Sequence, residues 1–293
     1  MRKFFLNILG GLNATKTTLT IPEIRKSIPA ASTWKFAAMY VCSLWLLGGA
    51  QLSAKGASGH PESAWKVLAV GRIYVDLTAV GANNGTTWAN AYTDLQNALA
   101  AAVSGDTIMV AAGTYKPDLA GPGNRTLSFG MKTGVVVLGG FPTGGGTLAQ
   151  RNWVSNPTIL SGDIGTQGVH TDNSYHVVRC NGQQGELNGF VVERGRADGA
   201  APDNDGGGVF VTSGYVASRF CTFRNNFAAD QGGGSYHDAG GNPTFRQCKF
   251  ESNSAAFGGG SYAFASTIIA NCGYVGNSAT SNGGGVYAVV NIN

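Results

Sequence analysis

Charge is scarce in this chain of 293 residues. Asp, Glu, Lys and Arg together make up 12% of it, about half the usual quarter. With 10% aromatic and 43% hydrophobic residues, it lacks the high charge and low hydrophobicity of a disordered chain. Chemical signatures are missing too. There is no Cys-x-x-Cys pair, no His-x-x-x-His, no Gly-x-Ser-x-Gly and no phosphate-binding loop. The common zinc, serine-hydrolase and nucleotide chemistries therefore have no starting motif. Glycine is abundant, 45 of 293 residues, but has no Gly-X-Y period, which excludes collagen. No apolar run reaches the roughly 20 residues of a membrane-spanning helix.

The longest apolar run is residues 36–50, about 15 residues without charge, preceded by Arg25, Lys26 and Lys35 and followed by Leu52-Ser53-Ala54. Basic flank, apolar stretch and small residues stand in the order of a secretory signal. We therefore expect residues 1–54 to be an extended export segment, with a retained anchor as the alternative, and residues 55–71 to be a linker. The export segment holds six basic residues and one acid. Without it the formal charge of +4 becomes 14 basic against 15 acidic residues. No Lys/Arg cluster remains to track a phosphate backbone, so no nucleic-acid partner is expected.

What is present is a repeat. Gly206-Gly207-Gly208-Val209-Phe210, Gly232-Gly233-Gly234-Ser235-Tyr236, Gly258-Gly259-Gly260-Ser261-Tyr262 and Gly283-Gly284-Gly285-Val286-Tyr287 start 26, 26 and 25 residues apart. Upstream of the last three lie Cys221-Thr-Phe223-Arg-Asn-Asn226, Cys248-Lys-Phe250-Glu-Ser-Asn253 and Cys272-Gly-Tyr274-Val-Gly-Asn277. Phe190-Val-Val192-Glu-Arg-Gly195 fits the same frame without Cys or Asn, and its extra residues make a loop at 197–204. A period near 25 is too short for helix-pair repeats. The segments are also rich in poor helix formers. Cys and the aromatic two residues later share one strand face. One turn of short strands per repeat is a parallel β-helix, with glycine giving positive φ and close backbone approach at the corners. Stacking then predicts three ladders: Phe190/Cys221/Cys248/Cys272, Val192/Phe223/Phe250/Tyr274, and an outer Asn226/Asn253/Asn277 ladder bonded along the axis.

The paired Phe-x-x-Asn and Gly-Gly-x-aromatic signatures resemble those of polymorphic outer membrane protein repeats. The copies are Phe223–Asn226 with Gly233-Gly234, Phe250–Asn253 with Gly259-Gly260, and Tyr274–Asn277 with Gly284-Gly285, within residues 187–293. The resemblance implies an all-β, right-handed parallel β-helix related in fold to pectin lyase, over residues 72–293. Residues 72–115 match the N-terminal cap and first coil of such proteins. There Ala91, Leu95, Ala98, Leu99 and Ala102 make one amphipathic helix, capped by Thr93 or Asp94. A strand over 105–115 follows, and further strands are predicted at 135–138, 158–160 and 176–179. The helix is expected to shield the first coil's open edge.

Candidate chemistry is sparse. Cys180, Cys221, Cys248 and Cys272 are even in number, which in an exported chain favours disulfides. The stack position of the last three favours a buried thiol ladder instead, because coil spacing is shorter than the usual bridged separation. Asp163, Asp203 and Asp205 offer loop oxygens for Ca²⁺, the one cofactor the sequence suggests. Arg194 and Arg196 lie beside them, as in Ca²⁺-dependent polysaccharide lyases of this fold. The alternative is that these Asp residues are turn formers beside glycine. No carboxylates recur from repeat to repeat, so no glycosidase pair is placed. The histidines are expected to be surface or satisfied residues. Tyr236, Tyr262 and Tyr287 are expected to stack, with sugar binding as the alternative.

The expectation is a secreted, outer-membrane or cell-surface scaffold of adhesin type, without catalysis. Surface glycans or cell-surface proteins would be its partners. A membrane would be met only through the export signal or a missing C-terminal region. A polysaccharide lyase or hydrolase, and a glycan-binding module, are the alternatives. Residues 286–293 read as a strand ending in mid-coil without a capping repeat, so a longer chain is expected.

Overall fold

The computed structural model describes residues 71–118, 123–238, 243–264 and 267–289. The expected export segment and most of the linker lie outside them.

The regular structure of the described residues is almost all strand, in three parallel sheets. The first runs from Arg72–Val75 through Thr107–Ala111, Val136–Phe141, Val178–Asn188, Val209–Arg219, Ser235–His237 and Ser261–Ala263 to Val286–Ala288. The second stacks Gly113–Tyr115, Thr158–Ser161, Phe190–Glu193, Thr222–Arg224, Lys249–Glu251 and Gly273–Val275. The third stacks Arg196–Ala197, Phe227–Ala228, Ser254–Phe257 and Ser278–Asn282. Each repeat thus pairs with the next at the register given by its sequence frame. Phe223 pairs with Val192 on one side and Phe250 on the other, and Phe250 pairs with Tyr274.

Two strands of 11 residues, Val178–Asn188 and Val209–Arg219, pair with register shifts around Ser213. Their two halves bond different neighbours. Val209–Val211 meets Ser235–His237, while Ala217–Arg219 meets Thr244–Arg246, which continues to Ile268–Ala270.

The glycine triplets divide their labour. The first member, Gly206, Gly232, Gly258 or Gly283, has φ between 64° and 70°, a left-handed bend that a Cβ disfavours. The second and third have no such φ. A Cβ on Gly207, Gly233 or Gly259 would lie 2.1–2.4 Å from a carbonyl of the third sheet. On Gly208, Gly234 or Gly260 it would lie 2.3–2.4 Å from the carbonyl of the next triplet. Two further left-handed bends recur without needing glycine. One falls at Gly189, Phe220, Gln247 and Asn271, the other at Arg194, Asn225, Ser252 and Gly276.

Inward side chains of the first two sheets form one core, and Ala197, Ala228 and Ala255 of the third make a small separate cluster. Phe223 stacks on Phe250 at 4.8 Å and Phe250 on Tyr274 at 4.7 Å, while Phe245 meets Phe223 and Phe250 edge-on. Each buried phenyl contributes about 2–3 kcal/mol by area. Cys221 and Cys248 are buried in the neighbouring ladder, two residues earlier in each repeat, and Cys272 is half-buried; these three and Cys180 are free thiols. Cys221 donates to the Arg219 carbonyl at 3.2 Å, and Cys180, outside the ladder, to the Gln183 carbonyl at 3.1 Å. A hydrogen bond with Cys221 and burial push the Cys248 thiol well above its ordinary pKa.

The asparagine ladder corrects the sequence reading. It is not outer. Asn226 and Asn253 are 1% and 0% exposed. Asn253 Oδ1 accepts from the Asn226 backbone N–H at 3.1 Å and from Asn226 Nδ2 at 3.0 Å. Its own Nδ2 donates to Phe223 O at 2.8 Å and to Asn277 Oδ1 at 2.9 Å. All four bonding positions of the amide are used. Burial is tolerated because nothing polar is left over.

The helix spans Leu95–Ala101 and is capped by Asp94, whose side chain accepts from the Gln96 N–H. Leu95, Ala98 and Leu99 point into the core beside Val75 and Ile108. The strand expected over 105–115 is two strands, Thr107–Ala111 and Gly113–Tyr115, in different sheets. Gly113, at φ 149°, sits at the break. Among the described residues no helix is long and apolar enough to cross a membrane.

Candidate functional site

Arg194 and Arg196, the charged pair picked out in the sequence, follow strand Phe190–Glu193. Arg194 takes a left-handed φ of 61°. That bend aims its side chain at Asp163, with Nη1 donating to Oδ2 at 3.0 Å. Asp163 also accepts from the Gly168 N–H at 3.2 Å. Glu193, beside Arg194 in sequence, is bound by Arg224 at 2.7 Å. Arg196 donates to Asp198 at 2.7 Å and lies over the Phe227 ring at 4.7 Å. Arg125 also bonds Asp198, donates to the carbonyls of Asn173 and Arg196, and covers the Tyr175 ring. Burial pulls the Asp198 carboxyl up, but the hydrogen bonds and charges of Arg125 and Arg196 outweigh it and hold its pKa below the ordinary carboxylate value.

These groups border a shallow cleft of about 310 Å³ lined by Asn173, Arg194, Arg196, Asn225, Phe227 and Ser252, among others. Its cations already have carboxylate partners. Asn173 donates to the Arg194 carbonyl at 2.7 Å and leaves its buried Oδ1 without a partner, as do Asp163 Oδ1 and Ser174 Oγ.

The three expected Ca²⁺ ligands have separate partners. Asp163 faces Arg194. Asp203 Oδ1 lies 3.2 Å from His176 Nε2. Asp205 Oδ1 accepts from the Gln231 N–H at 2.9 Å. Among the described residues no three His, Cys, Asp or Glu side chains gather as a metal-binding group. His176 is buried, with Nδ1 at 3.1 Å from the Gly206 carbonyl. Desolvation lowers its pKa, opposed by the two oxygens it faces.

Asp205 belongs to a group that sequence reasoning missed. Its pKa is raised to about 6 by burial and by the charges of Asp230 and Asp238. Tyr236 feels the same three carboxylates, after its own burial. The missed signal is the frame itself. Gln231 occupies the position of Asp205, so Asp230 arrives one residue away in the next repeat.

The tyrosine stripe exists and begins earlier than its tyrosines. His176, Phe210, Tyr236, Tyr262 and Tyr287 stack with centroids 4.3–5.5 Å apart. Each inner ring spends both faces on its neighbours, so the stripe presents ring edges to an approaching sugar. His237, next to Tyr236, points the other way. It is 1% exposed, neither ring nitrogen has a partner, and burial lowers its pKa to about 3.

Compared with family models, curated proteins and solved structures, the chain has no match in any of the three.

Proposed function

We propose that the chain is a right-handed parallel β-helix that works as an exported, elongated cell-surface scaffold without catalysis of its own. One observation carries the reading. The side chains that composition nominates for chemistry are spent on holding repeats and loops together. Arg194 holds Asp163, Arg196 and Arg125 hold Asp198, Asp203 meets His176, and Glu193 is held by Arg224 from the next repeat. The parallel sheets and the fully bonded asparagine ladder support the closed-coil architecture. The apolar run at residues 36–50 supports export, and surface glycans or cell-surface proteins are the partners such a scaffold would meet.

Small-angle scattering from the purified chain tests the architecture, with a rod-like particle expected and a spherical one refuting it. Incubation with uronic-acid polymers and Ca²⁺ tests the absence of catalysis. Unsaturated products absorbing in the ultraviolet would refute the scaffold reading. A hydrolase reading has one observation in its favour, the raised Asp205 beside Asp230 and Asp238, because a carboxyl protonated near neutral pH is what a general acid needs. Reducing ends released from a polysaccharide by the chain, and not by Asp205→Asn, would support it.

A further inference from the structure

A second cleft, of about 550 Å³, lies far from these groups in sequence, where the outward side chains of the first two strands meet the Gly-rich loop 143–147. Its size falls in the range of small-molecule sites, roughly 300–1,000 Å³. Tyr74 and Met109 project from the outer face of strands Arg72–Val75 and Thr107–Ala111, whose alternate residues Val75, Ile108 and Val110 fill the core. Trp88 and the 55%-exposed Leu148 complete an apolar wall. The other wall is the backbone of Gly144, Gly145 and Gly146, continued by the polar Thr147 and Gln150.

The walls are fixed to each other before any ligand arrives. Trp88 Nε1 donates to the Gly146 carbonyl at 3.0 Å. A Cβ on Gly145 would lie 2.1 Å from the indole ring, so the loop rests directly on it. Asp76, 1% exposed, accepts the Gly144 N–H at 2.6 Å. Tyr74 meets Trp88 edge-on at 4.9 Å. Arg72 stands exposed at the rim, and no carboxylate pairs with it among the described residues.

We propose that this cleft binds a sugar residue carrying a carboxylate, a uronic acid within a glycan. A pyranose has an apolar C–H side and a rim of hydroxyls. The first suits the Tyr74, Trp88, Met109 and Leu148 wall; the second suits the Gly146 N–H and the Gly144 and Gly145 carbonyls, since the Gly144 and Gly145 N–H groups and the Gly146 carbonyl already bond Asp76, the Pro142 carbonyl and Trp88. Arg72 supplies the planar donor fork that takes a carboxylate bidentately. A neutral apolar ligand would leave both the peptide wall and Arg72 unanswered. The inference extends the surface-scaffold reading by naming what the surface holds, and it stands on this cleft alone.

The test is titration of the full chain with glucuronate and, in parallel, glucose, by calorimetry or ligand-observed NMR. Glucuronate binds about two- to fivefold tighter than glucose, because a charge-assisted contact at an exposed rim is screened by water and worth no more than about a factor of five. Arg72→Gln brings glucuronate down to the level of glucose, and since Arg72 is exposed the circular dichroism spectrum is unchanged. No binding of either sugar at tens of millimolar overturns the proposal. So does an Arg72→Gln chain with undiminished glucuronate affinity, and so does benzoate binding as tightly as glucuronate.

Discussion

Replacing Asn253 by Ala tests whether the buried ladder is held by its hydrogen bonds or only by its shape. The side chain makes four bonds of 2.8–3.1 Å, two accepted from Asn226 and two donated to Phe223 O and Asn277 Oδ1. Each has a net worth of about 0.5–1.5 kcal/mol. Truncation also leaves the buried Asn226 backbone N–H without its acceptor, a desolvation cost of roughly 1–3 kcal/mol that overlaps the first. Together the loss should be about 4 kcal/mol, a large part of the stability of an ordinary domain. Asn277→Ala should cost about half as much, since its Oδ1 serves one side of the ladder and the residue is only half-buried. Asn253→Asp keeps both acceptors for Asn226 but faces two oxygens with no proton, so it should recover as pH falls and the carboxyl protonates. Equilibrium urea unfolding followed by circular dichroism measures all three. An Asn253→Ala cost below about 1 kcal/mol, or Asn253→Leu as stable as the parent chain, would refute the reasoning.

Three more outcomes are expected. The folded pKa of His237, about 3, lies below the unfolded value, so the unfolded chain binds more protons between them. Stability is full above pH 6.5 and falls as pH drops, by about 1.4 kcal/mol per unit. His237→Leu, which leaves no polar atom unpaired, should gain on the parent chain by that slope below pH 6.5. A constant gap between pH 7.5 and 4.5 would contradict this. Asp205 has the opposite sign. Its folded pKa, about 6, lies above the unfolded one, so its penalty is present above pH 6 and fades as pH falls toward 4. Asp205→Asn keeps the acceptor for Gln231 and should stabilise by about 1 kcal/mol at pH 8, discounted for its partial exposure, with no gain in melting temperature at pH 4. Gly259→Ala would put a Cβ 2.1 Å from Ser278 O and 2.7 Å from Gly284 O, at a cost of about 3 kcal/mol. Gly273→Ala, with open space around it, should stay within about 0.5 kcal/mol in the same unfolding assay.

The repeat frame was legible because its causes are local. A Gly triplet, then a Cys and an aromatic two apart, recur at nearly constant spacing, and strand pairing follows that spacing residue for residue. What stayed hidden depends on neighbouring repeats. Phe220, Gln247 and Ser252 take left-handed φ values, yet nothing in their side chains marks them as bends, because the stacked strands impose the turn. The burial of Asn226 was misread for a related reason. A lone asparagine belongs in water, and only an identical neighbour about 5 Å above it makes the interior acceptable. The cleft beside Tyr74 was invisible because residues 72, 88, 109 and 145 share no pattern in sequence.

The segment that looked functional by composition is the place where the repeat rule breaks. In the regular repeats the left-handed bend is followed by Asn226, Asn253 or Asn277, and each amide bonds the carbonyl three residues before the matching position of the preceding repeat. In the repeat that starts at Phe190, Gly195 stands where Asn would be, and its N–H donates to Asn226 Oδ1 at 2.9 Å. The ladder therefore ends on a backbone group and offers no side-chain amide to the layer before it. Asn173, arriving from a different loop, fills the role by donating to the Arg194 carbonyl. Arg194 and Arg196, which keep the repeat's backbone pattern on either side of Gly195, reach Asp163 and Asp198. Ion pairs thus replace the amide ladder where loops interrupt the repeat. A cluster of Asp and Arg beside a Gly-rich stretch is accounted for by that handover, and an argument for catalysis there needs a charged group the handover does not use.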